Sequence, residues 1–298
     1  MQYRTLGSTS LSLSIIGLGC SRLGTLIGEK RLSDQLIGTA ADSGINVFDT
    51  ADSYGSGSSE VVLGRSLRLF RNRMIIASKI GYPVSPSAKL LSRGLSVFGY
   101  QRQYFAPQYL RAAVEKCLRR IGTDYLDLLQ LHNPPPSLSG SEELWDTLKE
   151  LRKAGKIRYF GVSAKDLGDA GAFTGVHGIT SFQIPMNIFN FREASQVTDR
   201  LTKYSFGVIG RQAFISGALL KGEYGAEMDL TSEAQRDVVT LLRDSKLSPS
   251  EFSLKLFSKM AGLTSMLIGT LNPGHLKKNA ETVSGSTVPP QIMQYLRL

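Results

Sequence analysis

Eight short apolar runs, each leading to a helical stretch directly or through a loop, set the tightest limit on what this chain can fold into. The runs cover residues 15–19, 46–49, 74–78, 126–131, 157–162, 180–184, 207–210 and 265–268. They are apolar along most of their length rather than strictly alternating, as parallel strands sheathed by helices are. Helical patterns fall at 32–43, 59–69, 107–121, 142–154, 194–204, 232–243, 249–261 and 273–282. Leu110, Val114, Cys117 and Leu118 recur at helical spacing, and Pro107 suits a first helical turn. Ser33 is the expected N-cap of the first helix, and Gly155 closes the helix that starts at 142. Eight such units fit a (β/α)8 TIM barrel better than an open doubly wound sheet, which usually has about five or six. No composition break or internal repeat divides the 298 residues, so 1–298 is read as one domain.

Hydrophobic residues make up 42% and charged residues 20%, which excludes wholesale disorder. No stretch approaches 18 uninterrupted apolar residues, so no membrane span is expected. The start, Met1-Gln2-Tyr3-Arg4, lacks the pattern of a secretory signal, and a cytoplasmic location is expected. Cys20 and Cys117 are too few for a disulfide framework or a thiolate metal cluster, and both read as small buried fillers. A net charge of +10 suits an anionic ligand. The denser basic groups, Arg65-Arg68-Arg71-Arg73 and Lys149-Arg152-Lys153-Lys156-Arg158, read as solvated helix faces, and nothing supports nucleic-acid binding.

In a barrel of this kind, chemistry sits at the C-terminal ends of the strands. There the sequence places Asp49, with Asp52 and Tyr54 in the next turn, then Ser78-Lys79, His132-Asn133, Ser163, Gln183 and Arg211. An acid, a phenol, an amine and an imidazole make a coherent set. A tyrosine is a poor acid near neutral pH unless its phenolate is stabilised, and a nearby lysine does this by charge. A paired aspartate keeps that lysine protonated in a dry pocket. The histidine is placed to donate to a substrate oxygen while the tyrosine gives or takes a proton. Such a site stabilises the alkoxide that forms when hydride adds to a carbonyl. His177, between glycine-rich segments, reads as a loop residue, and Trp145 as packing.

The same residues carry a family resemblance. Phe48-Asp49-Thr50-Ala51-Asp52-Ser53-Tyr54-Gly55, followed by Ser59-Glu60 and Leu63-Gly64, closely resembles the signature of the aldo-keto reductases. Ile76-Ala77-Ser78-Lys79 resembles their catalytic-lysine strand, and the segment from Leu118 through Asp127 to Leu131-His132 resembles the one carrying their histidine. The correspondence runs from about residue 7 to 279. It implies a barrel whose bottom is capped by an N-terminal β-hairpin within residues 3–15. It implies Tyr54 as general acid, Lys79 and Asp49 as the groups that tune it, and His132 as the group that orients the carbonyl. It implies NADPH/NADP+ lying extended across the barrel mouth, with no metal. Ser163 and Gln183 would hold the carboxamide, and Gly217 and Leu219 would lie near the pyrophosphate. Gly269, Thr270, Lys277 and Asn279 would lie at the adenosine-phosphate end, where His275, Lys277 or Lys278 would meet a 2′-phosphate.

Two residues depart from the family pattern. Ala164 stands where an asparagine usually binds the carboxamide, which removes one side-chain hydrogen bond. Arg211 stands where an aromatic ring usually stacks on the nicotinamide. A guanidinium there could stack, pair with the pyrophosphate or pair with an acidic substrate. The expected function is NADP(H)-dependent reduction of an aldehyde, ketone or keto-sugar, the alternative being a catalytically weakened binding or regulatory subunit. Substrate choice is assigned to the aromatic and basic segment 81–106, with Tyr82, Phe98, Tyr100, Tyr104 and Phe105, and to segments 134–139 and 221–230. A self-contained barrel needs no partner, which points to a monomer or weak homo-oligomer.

Overall fold

The computed structural model describes residues 1–83, 103–221, 233–285 and 287–296. A two-stranded antiparallel hairpin, β1 (Tyr3–Thr5) and β2 (Ser12–Ser14), precedes a closed barrel of eight parallel strands. These are β3 (Ile16–Gly19), β4 (Val47–Asp49), β5 (Ile75–Ile80), β6 (Leu126–His132), β7 (Ile157–Ser163), β8 (Ile179–Pro185), β9 (Gly207–Arg211) and β10 (Leu263–Ile268). They pair in chain order, and β10 closes on β3 through Met266 beside Ile16 and Ile268 beside Leu18. The expected barrel and hairpin are both present, with strand ends shifted by one or two residues.

The hairpin holds its place for a physical reason. Leu6, Leu11 and Leu13 pack with Val47, Ile75, Ala77, Leu128, Ile209 and Leu267, so the barrel floor is a dry plug. Arg4 ties the hairpin to the rim: its Nη1 donates to Met260 O at 3.0 Å and Leu263 O at 2.5 Å, and its Nη2 to Ser258 O at 2.7 Å. The larger core lies between the strands and the surrounding helices.

The outer ring contains α1 (Lys30–Asp42), α2 (Ser58–Leu67), α3 (Pro107–Ile121), α4 (Glu142–Lys153) and α5 (Phe191–Lys203). It continues with α6 (Glu233–Asp244), α7 (Pro249–Lys259) and α8 (Pro273–Ser284), and a short α9 (Pro290–Tyr295) follows. Pro107 opens α3, and Gly122 ends it in the left-handed conformation. Gly64 lets α2 approach α3 closely, because a Cβ there would lie 1.9 Å from Ile121 O.

Three expectations need correction. Ser33 is not a cap: α1 begins at Lys30 with Glu29 as N-cap, and Ser33 Oγ turns back to Lys30 O at 2.9 Å. Lys30 and Arg31 are better helix formers than serine, and they extend the helix upstream. The unit after β7 has no α-helix, only a 3-10 turn, Gly168–Phe173. Gly168, Gly171, Gly175 and Gly178 make a longer helix there costly. Arg71 is not a solvated side chain: it bonds Asp127 Oδ2 at 2.9 Å, Tyr125 O at 2.7 Å and Met74 O at 3.0 Å, and Asp127 also meets Arg158 at 3.0 Å. Asp127 is a buried acid within an apolar strand, so it must recruit cations.

Candidate active site

Asp49, His132, Ser163 and Arg211 are each the last residue of their strand, and Lys79 is the last but one of β5. Successive strand residues point to opposite faces, so Lys79 shares the inner face with Ala77, and His132 shares it with Gln130 and Leu128. Tyr54 enters from the turn after β4. Ser56, Gly55 and Gly57 all have positive φ there, a bend that favours glycine at two of the three positions. Backbone bonds from Thr50 N to Ala77 O (2.8 Å) and from Asp52 N to Lys79 O (3.0 Å) register the turn on β5.

The centre of the site is Lys79, fully buried. Its Nζ lies 2.5 Å from Asp49 Oδ2, 3.0 Å from Thr50 O and 3.1 Å from Tyr54 Oη. Burial pushes the Lys79 pKa down, but the Asp49 charge and the Tyr54 oxygen outweigh it and the pKa rises. Tyr54 behaves differently from the expectation. Burial pushes its phenol up, Lys79 pulls it down, Asp49 pushes it up again, and the net shift is upward. The lysine's charge is already matched by Asp49, so only part of it acts on the phenol.

His132 meets Tyr54 edge to face, with ring centroids 6.0 Å apart, and meets Tyr82 in the same way at 4.9 Å. Burial, reinforced by the cations Lys79 and Arg211, holds its imidazole well below the ordinary histidine range. At neutral pH it is uncharged. Asn133, with φ 53°, donates from Nδ2 to Tyr82 Oη at 3.1 Å, and Gln103 Nε2 lies 3.0 Å from the same hydroxyl. Gln103 thus braces Tyr82 against His132, a role that its sequence context did not signal.

Ser163 and Gln183 lie beside this group. Ser163 Oγ donates to Gln183 Oε1 at 3.1 Å, and Gln183 Nε2 donates to Asp49 Oδ1 at 2.8 Å and to Gln130 Oε1 at 3.2 Å. Gln130 was overlooked in the sequence. A glutamine two residues before the histidine, on the inward face of an otherwise leucine-rich strand, is the signal that could have found it. Gly217, with φ 100°, and Leu219 fall in the 3-10 segment Ile215–Lys221 after β9. Leu219 is fully buried in the core. Gly269, Thr270, Lys277 and Asn279 form a separate group at the end of β10 and the start of α8. There Asn272 caps α8 by accepting from Gly274 N at 2.8 Å. Lys277 and Lys278 are exposed, 4.0 Å from Glu281 and 3.5 Å from Glu251 respectively. Phe98, Tyr100, Arg93, Arg102, Lys89 and the segment 222–230 lie outside the described residues.

Behind β5 lies a second polar cluster. Glu60 is fully buried on α2 and accepts from Ser78 Oγ at 2.9 Å, Cys117 Sγ at 2.7 Å and Arg120 Nε at 2.5 Å. Cys117 is buried as expected, but its thiol belongs to this polar cluster, and burial together with Glu60 pushes its pKa well up. Cys20 is also buried, and burial likewise pushes its thiol up, so neither cysteine is a ready nucleophile. Asp52, two residues before Tyr54, accepts from Tyr109 Oη at 2.9 Å. Burial, then the Glu60 charge, pushes its carboxyl up to about 8. Trp145 is buried, with Nε1 donating to Leu138 O at 3.0 Å, as packing requires.

A parallel eight-stranded barrel, with an Asp-Lys-Tyr cluster and a neutral histidine at the C-terminal ends of its strands, defines a class of barrel oxidoreductase. The chain belongs to the aldo/keto reductase family, whose family model matches residues 15–297. It is 26% identical over 312 residues to Uncharacterized oxidoreductase YqkF of Bacillus subtilis, spanning 100% of this chain and 96% of that protein. It is 34% identical over 194 residues to Aldo-keto reductase YhdN of the same organism, spanning 63% and 55%. Among solved structures, aldo-keto reductase AKR11C1 from Bacillus halodurans, in its holo form, shares the fold. The TM-score is 0.82 at 23% identity, over 100% of this chain and 95% of that one. No helix among the described residues is long and apolar enough to cross a membrane.

Proposed function

We propose that this protein reduces the carbonyl group of a small molecule to an alcohol with NADPH, and that Tyr54 delivers the proton. The observation that carries this reading is the contact of Lys79 Nζ with both Asp49 and Tyr54 Oη. A phenol raised above its ordinary pKa is protonated at neutral pH, the state that a proton donor needs. The Lys79 ammonium stabilises the phenolate left behind, and neutral His132 orients the carbonyl oxygen by a hydrogen bond. In the reverse reaction the phenolate would take the alcohol's proton.

The residues present suit a nicotinamide dinucleotide by the chemistry of their donors. Ser163 and Gln183 offer a hydroxyl and an amide beside Asp49, suited to a carboxamide. Exposed Lys277, with Lys278 and the N-terminus of α8, offers positive charge for phosphate. Gly217, Gly269, Thr270 and Asn279 complete the proposed contacts, with fully buried Leu219 supporting the Gly217 segment from the core, and Arg211 stands where the ring end would come. When bound, the cofactor supplies the hydride. Ala164 offers no side-chain donor, so the carboxamide rests on Ser163 and Gln183. The protein is proposed to act as one domain in the cytoplasm, as a monomer or weak homo-oligomer.

The test is a fluorescence titration with NADPH and NADH, followed by a panel of aldehydes and ketones. NADPH should bind at micromolar or tighter concentration and be oxidised by at least one carbonyl. Tyr54→Phe should abolish turnover while leaving NADPH binding intact. Failure to bind either cofactor, or full turnover by Tyr54→Phe, contradicts the reading.

A further inference from the structure

Arg211, the last residue of β9, is a cation at the C-terminal ends of the strands without an acid to match it among the described residues. Its Nη2 donates to Ala164 O at 2.8 Å and Lys165 O at 2.9 Å, which pins the guanidinium beside the end of β7. Its Nε and Nη1 donors meet no acceptor among the described residues, and no carboxylate there comes within ion-pair distance. Asp49 and Asp166 act on it only through space, and the Asp49 charge already belongs to Lys79. Partial burial pushes the Arg211 pKa down, as expected of a guanidinium that has lost some of its water without gaining a counter-charge. Bonded to the two residues that follow Ser163, Arg211 stands at the C-terminal ends of the strands where Lys79 and His132 also lie. A half-buried guanidinium with spare N–H donors binds an anionic oxygen through charge-assisted hydrogen bonds.

We propose that Arg211 receives an anionic group of the substrate, so that the carbonyl compound reduced here also carries a carboxylate or similar oxyanion. The word substrate rests on the reductase reading; binding of an anion at Arg211 does not. An anionic oxygen could also come from the cofactor's phosphates. The Arg211 bond to Ala164 O, next to Ser163, puts the guanidinium at the proposed carboxamide end, which carries no anion, and this favours the substrate.

The probes are benzoate and its neutral isostere benzamide, titrated calorimetrically into wild type, R211M and R211K, each with and without NADPH. Benzoate should bind wild type, lose tenfold or more in affinity in R211M and recover part of it in R211K. Benzamide should bind all three proteins alike. R211K guards against a folding defect in R211M. In turnover, R211M should raise KM for 4-carboxybenzaldehyde at least tenfold more than it raises KM for the methyl ester. Equal benzoate affinity in wild type and R211M, or none in wild type, overturns the proposal. So does an R211M whose only change is weaker NADPH binding, which would assign the guanidinium to the cofactor. Benzoate held through Arg211 by a protein that reduces no carbonyl would keep this site and remove the reductase reading.

Discussion

The Lys79 ammonium and the Asp49 carboxylate lie 2.5 Å apart with both side chains no more than 5% exposed. Removing one charge from such a pair leaves the other buried and unmatched, at a cost of about 3 kcal/mol. Asp49→Asn keeps the shape and removes the charge. It should lower stability by that order in urea unfolding and cut kcat by roughly a hundredfold or more, while NADPH affinity changes little. The Lys79 pKa is raised on folding, so the pair's stabilisation is complete below the ordinary lysine range and is lost only above it. The wild-type pair should therefore contribute equally at pH 6 and pH 8. In Asp49→Asn burial is left as the main influence on Lys79 and pushes its pKa down. A penalty that shrinks toward pH 8 would report deprotonation of Lys79 in the variant, and no penalty at either pH would show that the pair does not stabilise the fold.

His132 supplies a test of the opposite sign. Its pKa is depressed on folding, so on acidification the unfolded chain takes up a proton at this position before the native protein does. Stability from this residue is therefore present above the ordinary histidine value and is lost as the pH falls below it. The imidazole is neutral throughout the neutral range, so kcat for reduction should show no His132 inflection between pH 6 and 8. NMR titration of the His132 ring should give no charge change there. An imidazole that titrates near 6.5 would remove the proposed neutral donor.

Gln130 touches none of the proposed reacting atoms, yet it accepts from the amide that holds Asp49. Its own Nε2 is buried with no partner among the described residues. Gln130→Leu should therefore lower kcat several-fold through a loosened Gln183, with KM nearly constant. Its stability should fall by less than about 1 kcal/mol, because the substitution also removes an unsatisfied donor. Gln130→Glu keeps the acceptor but sets a second carboxylate near Asp49, and it should shift the pH profile of kcat, which Gln130→Leu should not. Loss of stability with unchanged kcat would make Gln130 merely structural.

The eight strands were legible because a parallel strand is an apolar run, and the candidate residues Asp49, Lys79 and His132 because each stands at or next to the end of one, with Tyr54 in the turn that follows Asp49. What escaped depends on contacts between distant segments. Arg71 looked like a solvated face until the fold set Asp127 of β6 beside it. Cys117 keeps an apolar helical spacing, and only the close approach of α2 and α3 at Gly64 brings its thiol to Glu60. The Tyr54 pKa was misread because lysine's charge was counted without the burial that opposes it. Arg211 was visible as a departure, but its spare donors were not, since they depend on where the backbone carbonyls of Ala164 and Lys165 fall.

Asp52 makes the strongest pH prediction. Its carboxyl is held up to about 8 by burial and the Glu60 charge, against an ordinary value near 3.8. Between those values the native protein keeps the proton and the unfolded chain releases it, so unfolding becomes easier as pH rises. The slope from this one group approaches about 1.4 kcal/mol per pH unit at most. Asp52→Asn can still accept from Tyr109 and never ionises, so this slope disappears. Urea unfolding at pH 5, 6.5 and 8 should show the variant gaining on wild type at each step. Near pH 8, ionised Asp52 would sit beside Glu60 and strain the turn that carries Tyr54, so wild-type kcat should decline there while that of Asp52→Asn holds. Parallel stability curves for the two proteins would show that Asp52 is already ionised at neutral pH and that Tyr109 and Arg120 outweigh its burial.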